Sequence, residues 1–215
     1  MLAVSDLTVP VRLIDRLLAE TEGFHAEADT DHLRLLGPVT AHGYRRFLVR
    51  RFAFVGPVER SLIALRGFEA FLDTRRFVKH ELLRRDLLSF RLTAAEIDQL
   101  PRCALPAFAG PAEGLGWAFV IERATLGHTN LFRHLAAVLP GEVAFSSSYL
   151  KCYLGTLGEM WRDFGRALDR VAELEQAQVI EGARSAFRTY RTWRHQQDEH
   201  DRSGPWPRRR ERRSA

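Results

Sequence analysis

The chain has 215 residues, enough for one domain with a buried core. Hydrophobic residues make up 46% and charged residues 27%, and no apolar run approaches the roughly 20 residues that a membrane span needs, so no membrane partner is expected. Part of the net charge of +5 lies in an arginine-rich end, which argues against a nucleic-acid surface elsewhere. Two cysteines and no visible signal peptide predict a protein of the reducing cytoplasm.

The hydrophobic periodicity predicts helices almost throughout and gives no strand signal. The first helix covers about 10–28 and carries apolar residues at three- and four-residue spacing. The second covers about 41–65, where Gly56-Pro57 marks a kink or a break. One or two short helices follow over 68–85, and Leu92-Thr-Ala-Ala-Glu96 has the pattern of a capping box that starts another.

A long helix is predicted over 116–134, with Gly127 in its middle. A glycine inside a helix costs about 1 kcal/mol relative to alanine, so it marks a kink or the close approach of something flat and bulky. The last long helix covers about 172–196. We expect one folded domain over 1–200 and a disordered basic tail over 201–215.

His25 is the first candidate for chemistry, because Thr21 precedes it and Asp29 follows it by four residues on the same helix face. The Asp29 carboxylate would accept a hydrogen bond from one ring nitrogen and leave the other nitrogen for a metal. One neutral imidazole suffices to hold a haem iron. Two alternatives stay open. In the first, His25 is an ordinary packed or surface residue. In the second, Glu22-x-x-His25 is half of a di-iron site, but such a site needs a second Glu-x-x-His motif, which the chain lacks.

Each of the other candidate residues has a structural interpretation as well as a haem-binding one. Gly127 either packs against a neighbouring helix or lies against a porphyrin face. Arg123 lies one turn before it, on the same side of the helix. Phe187 and Tyr190, three apart on the last helix, either belong to the core or wall a flat ligand.

Three blocks together resemble the bacterial heme oxygenase family. They are Leu18-Ala-Glu-Thr-Glu-Gly-Phe-His25-Ala-Glu-Ala-Asp29, Gly116-Trp-Ala-Phe-Val-Ile-Glu-Arg-Ala-Thr-Leu-Gly127 and Glu181-Gly-Ala-Arg-Ser-Ala-Phe-Arg-Thr-Tyr190. Trp161-Arg-Asp-Phe164 matches a further family pattern, Trp-x-x-Phe. No single block is specific, but their order and spacing are, and they extend over most of the chain.

The resemblance implies an all-α, single-domain, heme oxygenase-like helical bundle. It also implies that haem is both cofactor and substrate, and that O2 and an external reductant cleave it to biliverdin, carbon monoxide and ferrous iron. Electrons would come from a donor such as a ferredoxin or a reductase. The biliverdin would pass to an acceptor such as a bacteriophytochrome.

Carried over by position, the resemblance makes His25 the ligand of the iron and Asp29 the group that orients it. The expected catalytic positions are Arg123 and Gly127, of which Gly127 also lies against the haem. The remaining cofactor-binding positions are Ala28, Phe119, Phe187 and Tyr190.

Four positions depart from the family pattern. Arg123 replaces a glycine, Ala124 a serine, Phe119 a tyrosine and Leu18 a basic residue. The Arg123 guanidinium would either bind a haem propionate at the rim or fill the pocket. In the second case the fold would persist without the activity, as a protein that binds haem or a bilin without cleaving it, or as a scaffold with no tetrapyrrole.

Overall fold

The computed structural model describes residues 11–203, with side chains over 11–199, and in this part the regular structure is entirely helical. The helices are α1 (Leu13–Glu20), α2 (Glu22–Ala28), α3 (Thr30–Leu35), α4 (Ala41–Ala64), α5 (Lys79–Ser89), α6 (Ala94–Asp98), α7 (Pro111–Arg123), α8 (His128–Val138), α9 (Pro140–Phe145), α10 (Leu157–Asp169) and α11 (Gln176–Ser203). The predicted all-α fold is confirmed.

The predicted first helix is broken into α1, α2 and α3. The first break is at Thr21, whose φ and ψ of −113° and 3° lie outside the helical range. The Thr21 hydroxyl donates a hydrogen bond to the carbonyl of Leu17, and such bonds compete with the regular helix ladder. His25 therefore lies on a separate helix, α2.

α4 continues past Pro57, so the break that Gly56-Pro57 suggested does not occur. The glycine has a different use. A Cβ on Gly56 would lie 2.3 Å from Cδ2 of His80 on α5, so the small residue lets the two helices approach closely.

α7 and α11 form the central helix pair, and two glycines bring their backbones into contact. A Cβ on Gly116 would lie 2.1 Å from the carbonyl oxygen of Val179, and one on Gly182 would lie 2.3 Å from the carbonyl oxygen of Glu113. This close pairing fixes the distance between the two helices that carry Phe119 and Phe187.

Gly116→Ala should lower the free energy of unfolding by about 1–3 kcal/mol or more, because the added methyl group meets backbone atoms that cannot rotate away. The matched control is Gly141→Ala in α9, where a Cβ meets nothing within 4 Å and alanine is the better helix former. Chemical denaturation of both variants tests this. Equal stability of the two would contradict the close packing of α7 on α11.

The predicted helix over 116–134 is two helices. α7 ends at Arg123, a 3₁₀ turn covers Ala124–Gly127, and α8 begins at His128. At the other end of the chain, α11 extends to residue 203, so residues 201–203 of the predicted tail are helical. The rest of that tail, 204–215, lies outside the described residues.

Candidate functional site

His25 is half-buried, and its ring is held by the threonine one turn earlier. His25 Nε2 lies 2.9 Å from Thr21 Oγ1. Because the Thr21 hydroxyl gives its own proton to the Leu17 carbonyl, it accepts from Nε2, and Nδ1 keeps the lone pair. Burial, and then the positive charge of Arg123, lower the pKa of His25. The imidazole is therefore neutral near pH 7 and has the form that a metal binds.

Asp29 does not hold His25 as the sequence led us to expect. Its two carboxylate oxygens instead accept hydrogen bonds from Nη1 and Nη2 of Arg123, at 3.0 and 2.8 Å. The forked guanidinium matches a carboxylate in this bidentate geometry, and so it takes both oxygens. We call this pair the Arg123–Asp29 clasp. The clasp joins the end of α2 to the end of α7. In the described structure it is therefore Thr21, and not Asp29, that orients His25.

Gly127 ends the 3₁₀ turn between α7 and α8. A Cβ there would meet only Cδ2 of His32, at 3.9 Å, which is an ordinary contact. No neighbour in the described chain therefore requires a glycine at this position. A close approach of Gly127 to a ligand stays a prediction.

Phe187 connects the predicted positions on three helices. Its ring stacks on Phe24 of α2, with centroids 5.7 Å apart and planes at 4°. It also lies 5.6 Å from the His25 ring and 6.4 Å from Phe119 on α7, centroid to centroid. The wall residues of the predicted site thus meet beside His25, with Phe119 and Phe187 inside the core.

Tyr190 and Ala28 line a narrow crevice between α2 and α11 together with Phe24 and Phe187, and it holds no space that a water molecule could enter. The Tyr190 hydroxyl donates to Asp31 Oδ2 at 2.8 Å. Tyr190 is therefore hydrogen-bonded to a buried carboxylate, whereas its position in the sequence indicated only a core or wall residue.

The heme oxygenase family model matches residues 11–196. The chain belongs to the heme oxygenase family. Among solved structures, the NO- and CO-bound heme oxygenase from Neisseria meningitidis is similar, with a TM-score of 0.70 and 23% sequence identity over 87% of this chain and 92% of that chain. At this identity the likeness establishes the fold. No curated protein sequence matches the chain.

Membership of the heme oxygenase family makes haem the group to test against this site. Heme oxygenases degrade haem, which they bind through its iron. A neutral His25 imidazole beside the ring of Phe187 suits that iron in chemistry. Over residues 11–199, no group of three or more His, Cys, Asp or Glu side chains is arranged to hold a metal ion, so the di-iron alternative finds no ligand set there. None of the helices within 11–203 is long and apolar enough to cross a bilayer.

The cavity beside the Arg123–Asp29 clasp, with Gly127 in its wall, has a volume of about 220 Å³. Pockets for small molecules usually have about 300–1,000 Å³. The His25 side suits haem in chemistry, but the space beside the clasp is below that range while Arg123 and Asp29 hold the ends of α7 and α2 together.

Three residues near this site were missed from the sequence, namely Asp31, His32 and Arg51. All three are buried. Asp31 accepts a hydrogen bond from Tyr190, His32 lies beside Gly127, and Arg51 donates to His32, so all three adjoin positions selected from the sequence. Arg51 on α4 is the residue that a sequence signal could have found, because it falls within a long run of buried apolar residues, where a charge needs a reason.

Proposed function

We propose that this protein cleaves haem oxidatively to biliverdin, carbon monoxide and ferrous iron, with O2 and electrons from a separate reductant. The observation that carries the proposal is the neutral, half-buried His25 beside Phe187, in a chain that matches the heme oxygenase family over residues 11–196. When bound, haem supplies the redox-active iron and is itself the substrate.

The chain's own residues would bind and orient the ring. Nδ1 of His25 carries the free lone pair, and Thr21 fixes the plane of the imidazole through Nε2. Phe24 and Phe187 would cover one face of the ring and exclude water. The Arg123–Asp29 clasp has to part for α2 and α7 to separate and admit the ring.

The test is a titration of the purified chain with hemin. We expect the Soret band of a histidine-ligated complex, its loss on addition of a reductant in air, and broad red absorption from the product. His25→Ala should abolish the ligated spectrum, whereas His42→Ala, at an exposed histidine, should leave it unchanged. A Soret band without conversion favours the protein that binds haem without cleaving it. A band that persists in His25→Ala excludes His25 as the ligand.

Partners and location are finer proposals that the family suggests. A ferredoxin or a reductase would supply electrons, and the net charge of +5 favours an acidic donor. A bacteriophytochrome would take up biliverdin, which a spectral shift on mixing the product with such a protein would test. A reducing cytoplasm fits Cys103 and Cys152, which are free thiols.

A further inference from the structure

The short helix α2 carries His25, but none of its residues is buried. A segment with few buried contacts opens easily, so the position of α2 depends on individual side-chain contacts. At its end, the Arg123–Asp29 clasp joins it to α7. On the side of α11, α2 is held by the stacked ring of Phe24 and by the carboxylate of Glu27. What Glu27 binds therefore bears on where His25 lies.

Glu27 meets three basic side chains of α11. Its Oε1 accepts a hydrogen bond from Nη2 of Arg194 at 3.1 Å and lies 2.9 Å from Nε2 of His195. A carboxylate can only accept, so the His195 ring donates from Nε2. Oε2 of Glu27 lies 3.6 Å from Nη1 of Arg191. Donors from about one turn of α11 thus converge on this carboxylate.

Arg194 differs from the other two donors because it is buried. Its side chain is 6% exposed, against 51% for Arg191 and 57% for His195. Water screens exposed pairs, which contribute little to stability, whereas the loss of a carboxylate beside a buried guanidinium is strongly destabilising. Arg194 therefore carries most of the interaction, and we call its bond to Glu27 the Glu27–Arg194 anchor.

A network of largely buried charges holds Arg194 on its other side. Asp198 lies 3.6 Å from Nη1 of Arg194 and also binds Nη2 of Arg50 on α4. Nη1 of Arg50 in turn lies 3.2 Å from Oδ1 of Asp31 on α3, and Tyr190 donates to the other oxygen of Asp31. Arg50 and Asp31 are buried. The anchor therefore ties α2 to a point that α3, α4 and α11 fix together.

We infer that Glu27 is the positioning residue for His25, because its bond to Arg194 keeps α2 on α11. Glu27 is two residues from His25 on the same helix, so the anchor fixes where the imidazole lies. The inference rests on the proposed function, in which His25 holds the iron. The end of α2 at the Arg123–Asp29 clasp would open to admit the ring while the anchor stays closed. The two ion pairs that hold α2 would thus act in opposite directions, since the clasp closes the empty site and the anchor keeps His25 in place.

Hydrogen exchange of the full chain without haem is the first test. Glu27→Gln removes the charge but keeps the shape of the side chain, and should speed exchange of the amides in residues 22–28 about 5–30-fold, with α4 unchanged. Glu20→Gln is the matched control, because Glu20 also joins α11, through Arg184 at 3.1 Å, but both side chains are exposed. The control should leave residues 22–28 unchanged. Unchanged exchange in residues 22–28 of Glu27→Gln would overturn the inference.

Hemin dissociation, measured by transfer to excess apomyoglobin, is the second test. Glu27→Gln should release hemin about 5–30-fold faster, because His25 is no longer held in its binding position. Glu27→Asp keeps the charge on a shorter side chain, and its release rate should fall between those of Glu27→Gln and the wild type. Asp29→Asn, which breaks the clasp, should instead tighten hemin binding.

Tighter hemin binding by Glu27→Gln would mean that the anchor only closes the empty site, and would overturn its positioning role. Equal release of hemin by Glu27→Gln and the wild type would overturn it as well. If the wild type binds no hemin, the proposed function fails, and with it the role of Glu27 toward the iron. Exchange over residues 22–28 then still shows whether Glu27 holds α2.

Discussion

Glu122→Gln should lower the free energy of unfolding by about 3–5 kcal/mol, because it removes a buried carboxylate that contacts two buried cations. Glu122 Oε2 lies 2.9 Å from Nη2 of Arg76, and Oε1 lies 2.9 Å from Nζ of Lys79. All three side chains are buried, and the Tyr153 hydroxyl also donates to Glu122 Oε1, at 3.2 Å. A glutamine keeps the shape but turns an amide donor toward groups that can only donate.

Thermal unfolding measures this loss, which corresponds to a fall in Tm of roughly 6–20 °C for a chain of this size. The matched control is Glu20→Gln. Glu20 also pairs with two arginines, Arg16 and Arg184, at 3.3 and 3.1 Å, but all three lie at the surface. The control should change stability by at most about 1 kcal/mol. A similar loss in both variants would mean that burial of the Glu122 cluster contributes nothing.

The pH dependence of the same variant has a definite sign. Burial alone would raise the pKa of Glu122, but the charges of Lys79 and Arg76 outweigh it and hold the pKa below its ordinary value. The folded state therefore binds this proton less readily than the unfolded state. Its stabilisation is complete above the unfolded pKa and is lost as the pH falls through the folded pKa. Glu122→Gln should lose less stability on acidification than the wild type, and parallel curves would contradict the assignment.

Short-range patterns predicted the helices, and the order of the family blocks predicted which side chains meet. His25 and Phe119 both lie beside Phe187 in the structure, because helix faces follow from periodicity, and their contact with haem stays a prediction. The break at Thr21 was not visible, since it depends on which carbonyl a threonine hydroxyl bonds.

The polar partners of the site could not be predicted, because they join residues far apart in the chain. Arg123 was recognised as a departure, but its bond to Asp29 spans 94 positions and depends on how α2 and α7 pack. Glu122 is a charge at the end of an apolar run, a signal that it needs a partner. That signal does not say which cation of the 32 in the chain is the partner.

Arg123→Gly, which restores the family glycine, should tighten hemin binding about 5–30-fold. The Arg123–Asp29 clasp stabilises the closed form of the site, with Arg123 14% exposed and Asp29 36% exposed. A half-exposed bidentate pair of this kind is worth about 1–2 kcal/mol, between the values of surface and buried pairs. Because only the open form binds, the apparent Kd is the intrinsic Kd divided by the open fraction, and removal of the clasp raises that fraction.

Titration of the Soret band measures the Kd, and a double-mutant cycle separates the clasp from other roles of Arg123. Asp29→Asn should also tighten binding, and the double variant should gain nothing beyond either single one, since both remove the same interaction. Arg166→Ala removes an exposed ion pair with Asp163 and serves as the control, with no change expected. Weaker hemin binding in Arg123→Gly would mean that the guanidinium holds the ligand. In that case Arg123 binds the ligand directly, a role that the family glycine cannot have. Its ion pair with Asp29 in the absence of ligand is then a secondary effect.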